Sequence, residues 1–153
     1  MSTYVKVRDI IDTVRRFHRQ LKVYYARLAK QVDKKRVQIL LDYLSRKEQQ
    51  FQNGLATYDE EGAGRLLDTW LQYGPDEKQL DVPSFGDFRP DMTVDDVEKT
   101  AMEFGKALTE FCMSASRLAK TDDVRRLFRS LAQQEQEEKA NIKTTGSAVK
   151  RDM

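Results

Sequence analysis

The stretch FHRQLKVYYARLAKQVDKKRVQILLDYLSRKEQQFQ, from Phe17 to Gln52, is matched without a gap by FGKALTEFCMSASRLAKTDDVRRLFRSLAQQEQEEK, from Phe104 to Lys139. Side by side, Phe17 falls on Phe104, Leu21 on Leu108, Tyr24 on Phe111, Val37 on Val124, Leu40 on Leu127, Leu44 on Leu131 and Glu48 on Glu135. The apolar positions in both copies recur at alternating spacings of three and four, the period of one helix face. A break falls in the middle of each copy, at Asp33 and at Thr121. One helical hairpin written twice is the simplest reading.

Working outward, the first helix carries the seam Val7, Ile10, Val14, Phe17, Leu21, Tyr24 and Leu28, flanked by a second row of Ile11, His18, Tyr25 and Val32. Asp33 is the expected N-cap of the second helix, whose seam is Val37, Leu41, Leu44, Glu48, Phe51, Leu55 and Tyr58. Gly62 and Gly64 end that helix, and Leu67, Trp70 and Leu71 are expected to cap the end of the helical core. All three prolines, Pro75, Pro83 and Pro90, stand between Gly74 and Met92, in an ordered crossover of no sustained period. Thr93 with Asp96 marks a capping box for the third helix, with the seam Val97, Ala101, Phe104, Leu108, Phe111, Ala115 and Leu118. Thr121, Asp122 and Asp123 open the fourth, along Val124, Phe128, Leu131, Glu135, Glu138 and Ile142. Two short-linked hairpins joined by one long connection predict an all-α four-helix bundle over residues 1–143, followed by a polar, frayed tail at 144–153.

Composition narrows the function classes. Cys112 is the only cysteine, so no disulfide framework exists, as in a reducing, cytoplasmic setting. No apolar run approaches the ~18 residues of a membrane span. The net charge of +2 is unevenly spread: residues 1–36 hold eleven Lys/Arg against three Asp/Glu, and residues 59–103 thirteen Asp/Glu against four Lys/Arg. That polarity suits contacts between copies of the chain, and a homodimer is the expected assembly. Nucleic acid is not the expected partner, because no binding motif or aromatic platform accompanies the basic residues. With His18 the only histidine, no Ser/His/Asp triad forms, and no glycine-rich phosphate loop is present. An enzyme is therefore not the leading expectation. Cys112, alone on its helix, reads as a small buried apolar residue.

The seam and the crossover resemble the ferritin-like superfamily, and specifically its rubrerythrin-like members, over 17–52 and 104–139. The resemblance implies two irons between the hairpins, each hairpin supplying a Glu, a Tyr one heptad later, and a Glu-x-x-His. Residue by residue, those positions fall here on His18, Tyr25, Glu48 and Phe51, and on Gly105, Cys112, Glu135 and Glu138. Glu48 and Glu135 keep the family's residue type, whereas Phe51 and Gly105 have no ligand atom. A ferritin-like protein without the diiron site, acting as a structural or interaction module with no cofactor, is the expected function.

Glu48, Glu135 and Glu138 nevertheless stand on apolar seams, and a buried carboxylate must find a partner, a proton or water. In one reading, His18, Glu48, Glu135 and Glu138 hold a single iron, zinc or manganese ion, with iron handling or oxidative stress as the implied role. In the other, the site is a residual polar core. There His18 bonds Glu48, Glu135 shares a proton or water with Glu138 or Glu138 is solvated, and Gly105 makes room for a side chain from the facing helix.

Overall fold

The computed structural model describes residues 4–60, 64–81 and 89–151. Expectations for Gly62, Pro83 and Gly86 lie outside these residues. Among the described residues the protein is all-α apart from one short two-stranded sheet. Four long helices dominate: α1 (Val7–Ala29), α2 (Lys35–Glu60), α4 (Val94–Leu118) and α5 (Asp122–Arg151), with a single turn, α3 (Gly64–Leu67), after α2. No helix among the described residues is long and apolar enough to cross a membrane.

Every residue of the first seam and of its flanking row is buried, His18 included. The period places these side chains on one broad face, which packs along the length of α2. The two helices run antiparallel, because their link spans only residues 30–34. Helix α2 starts at Lys35 and its first helical bond runs from the Gln38 N–H to the Lys34 carbonyl, so Lys34 and not Asp33 takes the N-cap position; the Asp33 N–H donates to the Pro90 carbonyl at 3.2 Å, tying the link to the far end of the crossover. Helix α4 starts as its sequence predicts. Thr93 Oγ1 accepts from the Asp96 N–H at 3.1 Å, and Asp96 Oδ2 accepts from the Thr93 N–H at 3.0 Å. Against α5, Gly105 lies beside Lys139 and Gly146 beside Glu98, an antiparallel order again.

The hairpins meet through an aromatic cluster. Phe17 and Phe104, equivalent positions of the two copies, pack edge to face with centroids 6.0 Å apart. Tyr24 and Tyr25 complete the group, 5.7 Å and 6.4 Å from the Phe104 ring. Contact between equivalent residues is what a two-fold relation between the copies produces near its axis.

Two expectations are corrected. The segment read as a frayed tail from 144 continues α5 to Arg151, with Gly146 and Val149 buried and Lys150 paired with Asp95 at the start of α4. Its polar composition hides one small and one apolar residue on the inward face, and those suffice to dock the turn. Trp70 does not cap the core as Leu67 and Leu71 do: it is 57% exposed. It belongs to a two-residue strand, β2 (Trp70–Leu71), antiparallel to β1 (Val5–Lys6). Alternation along β2 turns Leu71 inward and Trp70 outward, where Lys6 Nζ sits 5.2 Å from the Trp70 ring centre.

Candidate functional site: a histidine between two glutamates

His18 reaches the interior because it lies one heptad from both Ile11 and Tyr25 on the flanking row of α1, and its side chain is 2% exposed. Glu48 comes from the seam of α2 and Glu135 from that of α5, so the three residues join both hairpins. Glu48 Oε2 lies 2.5 Å from His18 Nδ1, and Glu135 Oε1 lies 3.4 Å from Nε2. Nδ1 hydrogen-bonds Glu48, Nε2 makes an ion-pair contact with Glu135, and an imidazole protonated on both nitrogens, the cation, serves both carboxylates. The ring also stacks on Phe51, with centroids 5.1 Å apart and planes 19° from parallel.

The electrostatics agree with that geometry. Burial alone would lower the pKa of His18, but the Glu48 and Glu135 carboxylates outweigh it and hold the imidazolium up at about 10. Burial keeps Glu48 above the ordinary carboxylate range in spite of the cation beside it. Burial likewise pushes the Tyr25 phenol well above its usual range and the Cys112 thiol up to about 12, so neither is poised to ionise near neutral pH.

Glu138 keeps separate company. It accepts from Tyr43 Oη at 3.0 Å and Asn141 Nδ2 at 3.2 Å, and lies 3.6 Å from Lys47 Nζ. It is thus neither solvated nor sharing a proton with Glu135: it is 7% exposed and bridges α5 to α2. Of the four candidate ligands, the structure gathers Glu48 and Glu135 on the His18 ring, while Glu138 lines the same small space as the two glutamates but is bonded to Tyr43 and Asn141. Its partners Tyr43 and Lys47 escaped the sequence reading because they stand off the apolar seam of α2. The signal that would have found them is their spacing of four residues, which puts both on one face opposite α5.

A pair of metal ions does not fit here. Phe51 and Gly105 offer no donor atom, both nitrogens of His18 face carboxylates, and Glu138 is engaged by Tyr43, Asn141 and Lys47. The space enclosed by Glu48, Glu135, Glu138 and Gly105 is about 10 Å³, room for at most one water. A Cβ on Gly105 would touch the Lys139 stem at 3.4 Å, so a side chain of the facing helix does fill the place of a missing one. No group of three or more His, Cys, Asp or Glu among the described residues is arranged to hold a metal ion.

No family model matches the chain, and no curated protein matches it. Among solved structures, it is similar to "Hypothetical Protein Pfu-1136390-001" from Pyrococcus furiosus, at 15% identity and a TM-score of 0.54, over 95% of this chain and 90% of that one. At that identity the likeness is one of fold alone.

Proposed function

We propose that this chain is a ferritin-like four-helix bundle in which a buried Glu48–His18–Glu135 ion network stands where relatives would hold iron, and that it acts as a structural or interaction module. One observation carries the reading: both ring nitrogens of His18 are engaged by carboxylates while Phe51 stacks on the ring, leaving the imidazole no lone pair for a metal. The duplicated hairpin and the long crossover support the bundle. The same network joins α1, α2 and α5, so its work is to hold the two hairpins together.

The test is elemental analysis of protein purified without chelator. The expected result is iron, zinc and manganese far below one per chain, with a thermal midpoint that chelator does not move. Stoichiometric metal that disappears in a Glu48→Ala, Glu135→Ala double variant would establish the metalloprotein instead.

The module is proposed to work as a homodimer. Arg16 and Arg19 are exposed on α1, and Glu103 and Glu110 on α4, so unlike charges are available to meet between copies. Attraction of that kind weakens as salt shortens the Debye length. Light scattering should report a dimer that dissociates with added salt, and a monomer at every salt concentration would reject it.

A further inference from the structure

Beside the ion network, between α2 and α5, lies a cavity of about 150 Å³. Phe51, Leu55 and Leu131 form apolar walls, Glu135 and His18 stand at the inner end, and Gly54 is at the mouth, where it is exposed. Its wall is mixed, with Gln50 and Gln134 beside the apolar side chains, and a cavity of about this volume has room for a benzene ring. What distinguishes this one is the acidic group at its inner end. The network sets two glutamates against a single imidazole. His18 is the only basic side chain among the described residues lining the cavity, and no Lys or Arg is there. The nearby Lys47 is engaged with Glu138, and Lys22 donates to Gln49 at 2.6 Å.

Glu135 is the less engaged of the two. Glu48 is drawn to 2.5 Å from the imidazole, whereas Glu135 makes only the 3.4 Å contact and is 8% exposed. A carboxylate has about four acceptor sites, and one buried with so few of them used favours any cation that reaches it. The walls define the rest of the ligand. A hydrated inorganic ion gains nothing from Phe51, Leu55 and Leu131, and an anion meets Glu135, but an ammonium group on a short hydrocarbon or aromatic stem satisfies both ends. Phe51 adds an aromatic surface that attracts a cation.

We propose that this cavity is a binding site for a small organic ammonium ion, its nitrogen on Glu135 and its stem against Phe51, Leu55 and Leu131. The inference rests on the metal-free reading of the network, which elemental analysis tests separately. If metal is found, that reading fails whatever the titrations show; if none is found, the titrations judge the cavity alone.

The experiment is calorimetric titration of chelator-treated protein at pH 7 with benzylammonium, and in parallel with benzyl alcohol, its uncharged counterpart. One benzylammonium is expected to bind per chain, about tenfold or more tighter than the alcohol, the margin of a charge-assisted hydrogen bond. Glu135→Gln is expected to remove that margin, bringing the amine to about the affinity of the alcohol. Gly54→Phe grows from a position with no atom within 4 Å of an added Cβ, and is expected to abolish both. Should Glu135→Gln fail to fold, the wild-type comparison and Gly54→Phe still decide. Equal affinity for amine and alcohol, no binding of the amine, or binding undisturbed by Gly54→Phe would each overturn the proposal.

Discussion

Replacing His18 by Leu is the sharpest perturbation this fold offers. The substitution keeps roughly the size of the side chain and its contact with Phe51, but strips both carboxylates of their partner. Glu48 loses the 2.5 Å contact and Glu135 the 3.4 Å one. Hydrogen bonds to charged groups contribute about 1.5–3 kcal/mol each. Removing one member of a buried ionic cluster typically costs about 3–5 kcal/mol, because the remaining charges stay buried. The 13% and 10% exposure of the two carboxylate side chains places them in that buried class. The expected loss at pH 7 is therefore about 3–5 kcal/mol, a large part of the ~5–15 kcal/mol typical of a domain. The companion variant is His18→Leu, Glu48→Met, Glu135→Met, which removes charge and partners together in similar volume. Buried ionic clusters replaced in this way are often neutral or stabilising, so the triple variant should unfold within about 1 kcal/mol of the wild type, or later. Urea unfolding followed by circular dichroism measures both, given unchanged slopes. A loss under about 1 kcal/mol for His18→Leu, or a triple variant that loses as much as its three single substitutions together, would refute the reasoning.

Three further outcomes are expected. The native His18 pKa stands at about 10 against 6.5 in the unfolded chain, so its contribution is full below pH 6.5, declines as pH rises, and is gone above about 10. Denaturation midpoints should therefore fall across that window, by up to about 1.4 kcal/mol per pH unit, and flatten in His18→Leu; a flat wild-type profile would contradict the cationic imidazole. Gly54→Ala should stabilise α2 by about 0.5–1 kcal/mol, because an added Cβ meets nothing within 4 Å and alanine forms helix better than glycine; thermal unfolding that is unchanged or earlier would show the helix strained there. Truncation after Lys143 removes the buried Val149 and the Lys150–Asp95 pair, at a cost of about 2 kcal/mol or more from the apolar burial; an unaltered melting temperature would restore the frayed tail.

The helices were legible because their burial is periodic. The seven seam residues from Val7 to Leu28 and the flanking row Ile11, His18, Tyr25 and Val32 are all buried, as spacings of three and four require. The Thr93 capping box was legible because it is a local bond pattern with its own residue types. The β1–β2 pairing was not, since two residues per strand are too few to show alternation, and it depends on an N-terminal segment meeting the crossover. The last turns of α5 were hidden by composition. Thr144, Thr145, Gly146 and Ser147 are poor helix formers, and what holds them is tertiary: a Cβ at Gly146 would stand 2.6 Å from Glu98 Oε2, so the backbone of α5 runs close against α4 there. At the site, His18 with Glu48 followed from the hairpin alone. The destination of Glu138 did not, because it depends on how α5 lies against Tyr43 and Lys47 of α2.

The two copies of the hairpin also account for the lone histidine. Glu48 and Glu135 are equivalent positions, and both reach the same imidazole from opposite hairpins. A ring lying between equivalent carboxylates serves both through its two nitrogens. A second imidazole at the position equivalent to His18, Gly105, would therefore add a cation to carboxylates already partnered, in a space of about 10 Å³. Gly105 instead lets the Lys139 stem close over the site. With one ring shared, the second carboxylate is held by the longer contact, on the side where the 150 Å³ cavity opens. The asymmetry between the copies is thus what leaves a buried, loosely engaged glutamate facing a cavity with Phe51, Leu55 and Leu131 in its wall.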